Sequence, residues 1–252
     1  MLQISTLNNM IIPYHHKVIS KYIQKLNSIA PGLIDCEPIL SGSFAINLVY
    51  SPSSEYHDID FYFASEENYK KAFTLLSKIE TPISTDNADT FLNLNCQLIK
   101  KYFISPEELI YKHDFVNASV AIHNNNIYTS LDTFKSWSKD ELDIRSFQLE
   151  GLKNKQEIAS KITQILSRVQ KYLTRYEFSL SLKSIEILDY VKKYINENLL
   201  HDEEIKNLKL CKDYYDNDVT MEDSLNSWLA IIDQLTNQKH ESYLDENNLS
   251  FF

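Results

Sequence analysis

Apolar residues change their rhythm along the chain, and the changes mark its elements. Over residues 14–29 they recur near every 3.6 positions (Val18, Ile19, Tyr22, Ile23, Leu26 and Ile29), which predicts an amphipathic helix ended by Pro31-Gly32. Residues 35–40 then read as a strand delivering the chain to Gly42, and 44–50 as the start of a helix. Ser51-Pro52-Ser53-Ser54 is a loop by composition, after which residues 58–63 alternate polar and apolar as a strand does. Helical spacing returns over 66–79 through Tyr69, Ala72, Phe73, Leu76 and Ile79. Strands follow at 90–94 and 96–100, and Ser105-Pro106 opens a short helix with serine as cap and proline at the first helical position. A strand over 115–122 and a hairpin turn at His123-Asn124-Asn125-Asn126 complete this half.

Past Leu131 the pattern becomes helical throughout. The remaining sequence holds a single glycine, Gly151, and no proline, while Ile158, Ile162, Ile165, Leu166 and Val169, then Ile185, Leu188 and Val191, keep helical spacing. A bundle of about five helices is expected, the last carrying Leu225, Trp228, Leu229, Ile232 and Leu235, with a loosely ordered tail beyond Asn237. The expected fold class is α+β: a domain at 1–130 with a mixed β-sheet and flanking helices, followed by an all-helical domain at 131–252.

Charge narrows the function classes. A formal net charge of −10 disfavours a protein whose whole job is gripping nucleic acid, although a local basic strip remains compatible with RNA. Cys36, Cys96 and Cys211 are far apart and lack Cys-x-x-Cys spacing, so neither a disulfide framework nor a zinc site is indicated and a reducing compartment fits best. No apolar run approaches bilayer-spanning length, and Met1-Leu2-Gln3-Ile4 does not read as a signal peptide; the expectation is a cytoplasmic protein without a membrane partner.

The candidate chemistry lies between residues 42 and 61. Glycine is scarce here, so Gly42 before Ser43 points to a role for its backbone, either a positive φ or close approach of a phosphate to the main chain, with Ser43 offering its hydroxyl and N–H. In a strand, Asp58 and Asp60 share a face while Ile59, Phe61 and Phe63 enter the core. Two carboxylates about 7 Å apart repel one another unless cations sit between them. The bland alternative is a solvated strand edge, since Asp-x-Asp also occurs by chance; His57, next to it, serves either as a phosphate or metal contact or as a strand cap.

Leu40-Ser41-Gly42-Ser43 with Asp58-Ile59-Asp60 resembles the nucleotidyltransferase superfamily of DNA polymerase β type, and the chain is nearest to poly(A)-polymerase-like and CCA-adding-like branches of phages and large viruses. The softer matches are Asn87-Ala88-Asp89-Thr90-Phe91 with Cys96-Gln97-Leu98-Ile99, and the basic helix around Arg168, so the resemblance covers about residues 20–190. It implies a metal-dependent enzyme that moves a nucleoside monophosphate from a nucleoside triphosphate, ATP first among them, to an acceptor hydroxyl with release of pyrophosphate. Asp58, Asp60 and a third carboxylate, matched by Asp114, would hold two Mg²⁺ ions; Gly42 and Ser43 would hold the outgoing phosphates. Asp86, Asp89 and Asp132 are the alternatives to Asp114. Arg168, Lys171 and Arg175 share one helical face and would meet triphosphate or acceptor, or else form a solvated outer face. The resemblance favours an RNA or tRNA 3′ end as acceptor; a small molecule, a protein hydroxyl as in toxin-type relatives, and a non-catalytic binding module of the same fold stay open.

Overall fold

The structure is a computed structural model that describes residues 9–13, 16–51, 58–147, 149, 152, 154–206 and 220–248. It divides into two compact units, residues 1–139 and 140–252.

The first unit is built on an eight-stranded sheet. Its elements are β1 (Asn9–Pro13), α1 (His16–Ile29), β2 (Ile39–Ser41), α2 (Gly42–Val49), β3 (Ile59–Phe63), α3 (Glu66–Leu76), β4 (Ile83–Ser84), β5 (Ala88–Phe91), β6 (Cys96–Phe103), α4 (Pro106–Leu109), β7 (Val120–His123), β8 (Asn126–Ser130) and α5 (Leu131–Ser138). The strand order is β1-β8-β7-β2-β3-β6-β5-β4. The β3–β6 pair is parallel and the other pairs are antiparallel, so the sheet is mixed as the sequence implied.

Burial separates the two faces of this sheet. Phe61, Phe63, Phe91, Leu98, Val120 and Ile122 point into the main core, where Val18, Tyr22 and Leu26 of α1, Phe44 and Leu48 of α2, and Ala72 and Leu76 of α3 cover them. Tyr22 is buried, and its hydroxyl donates to the carbonyl of Pro38 at 2.7 Å, which ties α1 to the turn ahead of β2. The opposite face carries a smaller core in which Leu109 and Ile110, at the end of α4, pack on Ile39, Ala121 and Tyr128. α4 has a full capping box: the Ser105 hydroxyl accepts from the Glu108 N–H, and Glu108 accepts from the Ser105 N–H.

Several elements differ from the sequence reading. The strand expected at 35–40 is a 3₁₀ turn, Leu33–Cys36, followed by Glu37 at φ 51° and only then β2. A left-handed residue next to Pro38 cannot continue a ladder. The strand expected at 115–122 begins as a 3₁₀ turn, Val116–Ala118, and pairs from Val120. The β7–β8 hairpin matches its expected turn, with Asn124 at φ 52° in a two-residue connection. α5 stays with the first unit rather than opening the helical half at 131, because the Trp137 indole donates to the Asn117 carbonyl at 3.0 Å, the Thr133 hydroxyl donates to the Val116 carbonyl, and Trp137 stacks on Tyr50 at 5.0 Å.

Among its described residues the second unit is mainly helical, with a parallel pair of two-residue strands, β9 (Glu141–Leu142) and β10 (Ser179–Leu180). Its helices are α6 (Lys155–Tyr176), α7 (Leu182–Tyr194) with a π-turn continuing it (Ile195–Leu199), α8 (Glu203–Lys206) and α9 (Met221–Asn248). α9 runs on to Asn248, past the point where the sequence reading placed a loose tail. Among the described residues no helix is long and apolar enough to cross a membrane.

Candidate functional site

Alternation on β3 sets the site. Ile59, Phe61 and Phe63 are buried while Asp60 and Tyr62 are half-buried, and Asp58 is half-buried just ahead of the strand. Directly paired residues on neighbouring strands share a face. Ser41 pairs with Asp60, Asp60 with Gln97, and Gln97 with Thr90, so these four side chains stand on one face. Asp58 joins them, since the Gln97 amide donates to its carboxylate at 2.9 Å.

The β2–α2 connection presses on this face. Gly42 has φ +76°, and a Cβ placed there would lie 2.4 Å from Asp60 Oδ2 and 3.3 Å from Asp60 Cγ. No other residue type fits that turn without moving the carboxylate. Ser41 occupies the N-cap position of α2 in extended conformation, yet its side chain makes no capping bond. Its fully buried hydroxyl donates instead to the Val120 carbonyl at 2.6 Å and meets His113 Nε2 at 2.9 Å. Ser43 is half-buried in the first turn of α2, beside the backbone N–H groups that end a helix with partial positive charge.

Asp114 lies in the segment that leads from α4 to Val116, on the α4 side of the sheet, one residue from the His113–Ser41 contact. It is buried, at 6% exposure, and followed by the buried Phe115. Among the described residues no group of three or more His, Cys, Asp or Glu side chains is placed to hold a metal ion. Asp58 and Asp60 are thus brought together with Gly42 and Gln97, while Asp114 is not gathered with them into a three-carboxylate cage. A pair of carboxylates nevertheless suits Mg²⁺, which keeps several waters and is commonly held by one or two carboxylates plus substrate phosphates. The Asp60 carboxylate fills the place that a side chain on residue 42 would take, so the glycine is what lets the β2–α2 turn and its backbone N–H groups come up against the carboxylate.

The alternatives to Asp114 are placed elsewhere. Asp89 pairs with Leu98 on the helix-covered face, where Lys100 Nζ binds it at 3.0 Å and the Tyr69 hydroxyl donates to it. Burial pushes its carboxyl up, but hydrogen bonds from Ser84, Tyr69 and Lys100 outweigh that and hold it below the usual carboxylate range. Asp86 and Asp132 are exposed, and His57 lies outside the described residues. In the second unit, Arg168 and Lys171 stand exposed on α6 with Arg175 half-buried, while Ile162, Ile165, Leu166 and Val169 fill the buried face of that helix. Tyr172 and Tyr176 lie with ring centroids 5.4 Å apart, and Tyr176 stacks on Phe178. The sequence reading assigned no role to Gln97, Ser41 or His113. Strand pairing was the signal for the first, and adjacency to Gly42 and Asp114 for the others.

The family model described as Gad2, Gabija anti-defense 2 family protein, matches residues 13–139, half of the chain. No curated protein matches the sequence. Among solved structures the chain is similar to the Thermotoga maritima CCA-adding enzyme complexed with tRNA, with a TM-score of 0.54 and 14% identity over 76% of this chain and 47% of that one. It is also similar to a CCA-adding enzyme in complex with CTP (TM-score 0.53, 13% identity, 77% of this chain and 47% of that one) and to one in complex with ATP (0.52, 15%, 76% and 47%). The chain therefore spans about half the length of these structures. At such identities the likeness is one of fold, and the fold is that of a nucleotidyltransferase with a mixed sheet.

Proposed function

The chain belongs to the Gabija anti-defense 2 family, and from that premise we propose that its first unit is a metal-dependent nucleotidyltransferase. It moves a nucleoside monophosphate, AMP from ATP foremost, to an acceptor hydroxyl and releases pyrophosphate. The observation that carries this reading is the Gly42 turn, against which the Asp60 carboxylate lies in the space that a side chain on residue 42 would occupy.

The roles follow from position. Asp58 and Asp60 would hold Mg²⁺ together with the triphosphate, and Gln97, by donating to one oxygen of Asp58, holds that carboxylate in place. Mg²⁺ held there would neutralise phosphate charge and lower the pKa of the attacking hydroxyl. Gly42 and Ser43 present backbone N–H groups and a hydroxyl to the outgoing phosphates at the start of α2. Asp114, next to His113, would serve the acceptor side, where a second ion would draw on its carboxylate apart from the Asp58–Asp60 pair. Arg168 and Lys171 meet the triphosphate or the acceptor.

An RNA or tRNA 3′ end is the first acceptor in this reading, supported by the CCA-adding fold. A protein or small-molecule acceptor, or a non-catalytic module of the same fold, is the second. It is supported by the net charge of −10 and by the missing three-carboxylate group among the described residues. The family's anti-defense description fits either, since a nucleotidyl group placed on an RNA or a protein of the opposed system would disable it.

The test incubates the purified protein with Mg²⁺, each α-³²P-labelled nucleoside triphosphate and total cellular RNA, with the Asp58→Ala/Asp60→Ala variant alongside. Label in an RNA band that the variant loses establishes RNA nucleotidyl transfer and names the base. Label on protein moves the acceptor, and no turnover with any triphosphate puts the binding module in front. An Asp114→Asn variant that retains full transfer would remove Asp114 from the ion-binding set.

A further inference from the structure

The buried hydroxyl of Ser41 joins segments that lie far apart in the sequence. A serine at an N-cap position ordinarily turns its oxygen onto the first-turn N–H groups of its helix. Ser41 does not: its Oγ lies 2.6 Å from the Val120 carbonyl and 2.9 Å from His113 Nε2, and the residue is wholly buried. A carbonyl only accepts, so the single hydroxyl proton goes to Val120. The oxygen then has only lone pairs left for His113, which must donate through Nε2–H. The network thereby assigns the proton to Nε2, whichever charge the ring carries.

Ser41 is the register partner of Asp60, and the next residue, Gly42, is the one whose backbone abuts the Asp60 carboxylate. We propose that His113 is a positioning residue for the nucleotide site: through Ser41 it pins the Gly42 turn against Asp60, and it anchors the Asp114 segment to the same point. This inference rests on the nucleotide-binding reading above. His113 touches neither triphosphate nor ion in it. Toward the turn the ring acts through its hydrogen bond to Ser41, and that turn has no slack, because Gly42 already approaches Asp60 more closely than any Cβ would allow. Loss of that bond leaves the buried Ser41 oxygen without its donor and frees the turn to relax away from the carboxylate.

The experiment compares wild-type protein with His113→Leu, Ser41→Ala, the double variant and His113→Gln, whose side-chain N–H reaches a similar point. The first readout needs no ligand: backbone amide shifts of Gly42, Ser43 and Asp60 by NMR. They should move together in His113→Leu and in Ser41→Ala, and stay near wild type in His113→Gln. The second is the dissociation constant of MgATP by calorimetry. About tenfold weakening is expected in either single variant, no further weakening in the double, and recovery to within about threefold in His113→Gln. A pair acting through one bond gives this non-additive pattern, whereas independent structural damage would add. Unmoved amide shifts in His113→Leu, a glutamine variant as weak as leucine, or additive losses would each overturn the proposal. If the shifts move as expected but the wild type binds no MgATP, nucleotide binding is what fails, and the Ser41 contact is left as the anchor of the turn alone.

Discussion

At the scale of single residues, the two described glycines allow a controlled comparison. Gly42 and Gly32 both have positive φ, +76° and +85°, so alanine at either is strained by about 1–2 kcal/mol through backbone conformation alone. Their surroundings differ. A Cβ on Gly32 meets its nearest atom, Asp35 Oδ2, at 3.8 Å, an ordinary contact, whereas on Gly42 it meets Asp60 Oδ2 at 2.4 Å. Gly32→Ala should therefore lower the melting temperature and leave MgATP affinity unchanged. Gly42→Ala should lower it at least as much and also weaken MgATP binding tenfold or more, because the Asp60 carboxylate must swing away. Melting curves and calorimetry on both variants decide the matter; equal effects on nucleotide binding would detach the Gly42 turn from the site. The backbone role of Gly42 was legible in the sequence because glycine is scarce in this chain and this one precedes a helical run beside a serine. The role of His113 was not, since its place beside Asp114 is the sole local mark and its partner Ser41 lies 72 residues away.

At the scale of elements, alternation was the reliable guide. The burial pattern of β3 follows it at each position, which is why the sequence alone could put Asp60 on the face opposite Phe61 and Phe63. It misled where local chemistry broke the strand. Glu37 at φ 51° cuts the run before β2, and the 3₁₀ turn at Val116–Ala118 removes Asp114 from any strand parity. β1 carried no local signal at all, because its place is set by pairing with β8 over more than a hundred residues of separation. The β5–β6 hairpin shows the opposite case, a buried charge that pattern alone would assign to a site. Asp89 is 2% exposed and held by Lys100, Tyr69 and Ser84, so its carboxyl titrates below the ordinary range. A carboxylate with a lowered folded-state pKa contributes stability that is complete above about pH 4 and is lost as the pH falls through the lower folded value. Asp89→Asn should cost about 2 kcal/mol at neutral pH, less than the ~3–5 kcal/mol of a wholly buried pair because Lys100 is 27% exposed. It should also flatten the acid limb of the stability curve. Denaturant unfolding of both proteins between pH 2 and 7 measures this, and an unchanged acid limb would show that the Asp89 network does not set it. Nucleotide affinity should be spared, since Asp89 faces the helices and not Asp60.

At the scale of the whole molecule, the distribution of charge decides how an acceptor can be held. The chain carries 35 acidic against 25 basic residues, and its arginines are Arg145, Arg168 and Arg175, all within the second unit. A polyanion thus finds no guanidinium on the unit that bears Asp58 and Asp60, and the planar, bidentate grip that arginine gives phosphate is available on the second unit alone. Arg168 and Lys171 are both exposed on α6, one turn apart, on a helix whose other side is committed to the core by Ile162, Ile165 and Val169. If RNA is the acceptor, this pair is where its backbone is neutralised. Reversing both charges, Arg168→Glu with Lys171→Glu, should raise the acceptor KM by tenfold or more, leave the MgATP dissociation constant as it is, and lower the slope of log affinity against log salt by about 1.4, the value for two phosphate contacts on a single strand. Both positions are exposed and outside the core, so a melting curve close to the wild type is part of the expected result. Weakened MgATP binding instead would place the pair on the triphosphate. If acceptor KM and salt slope both stay at wild-type values, the stripe is a solvated face, and a protein whose charge balance already opposes nucleic acid would then have its acceptor among neutral or cationic partners.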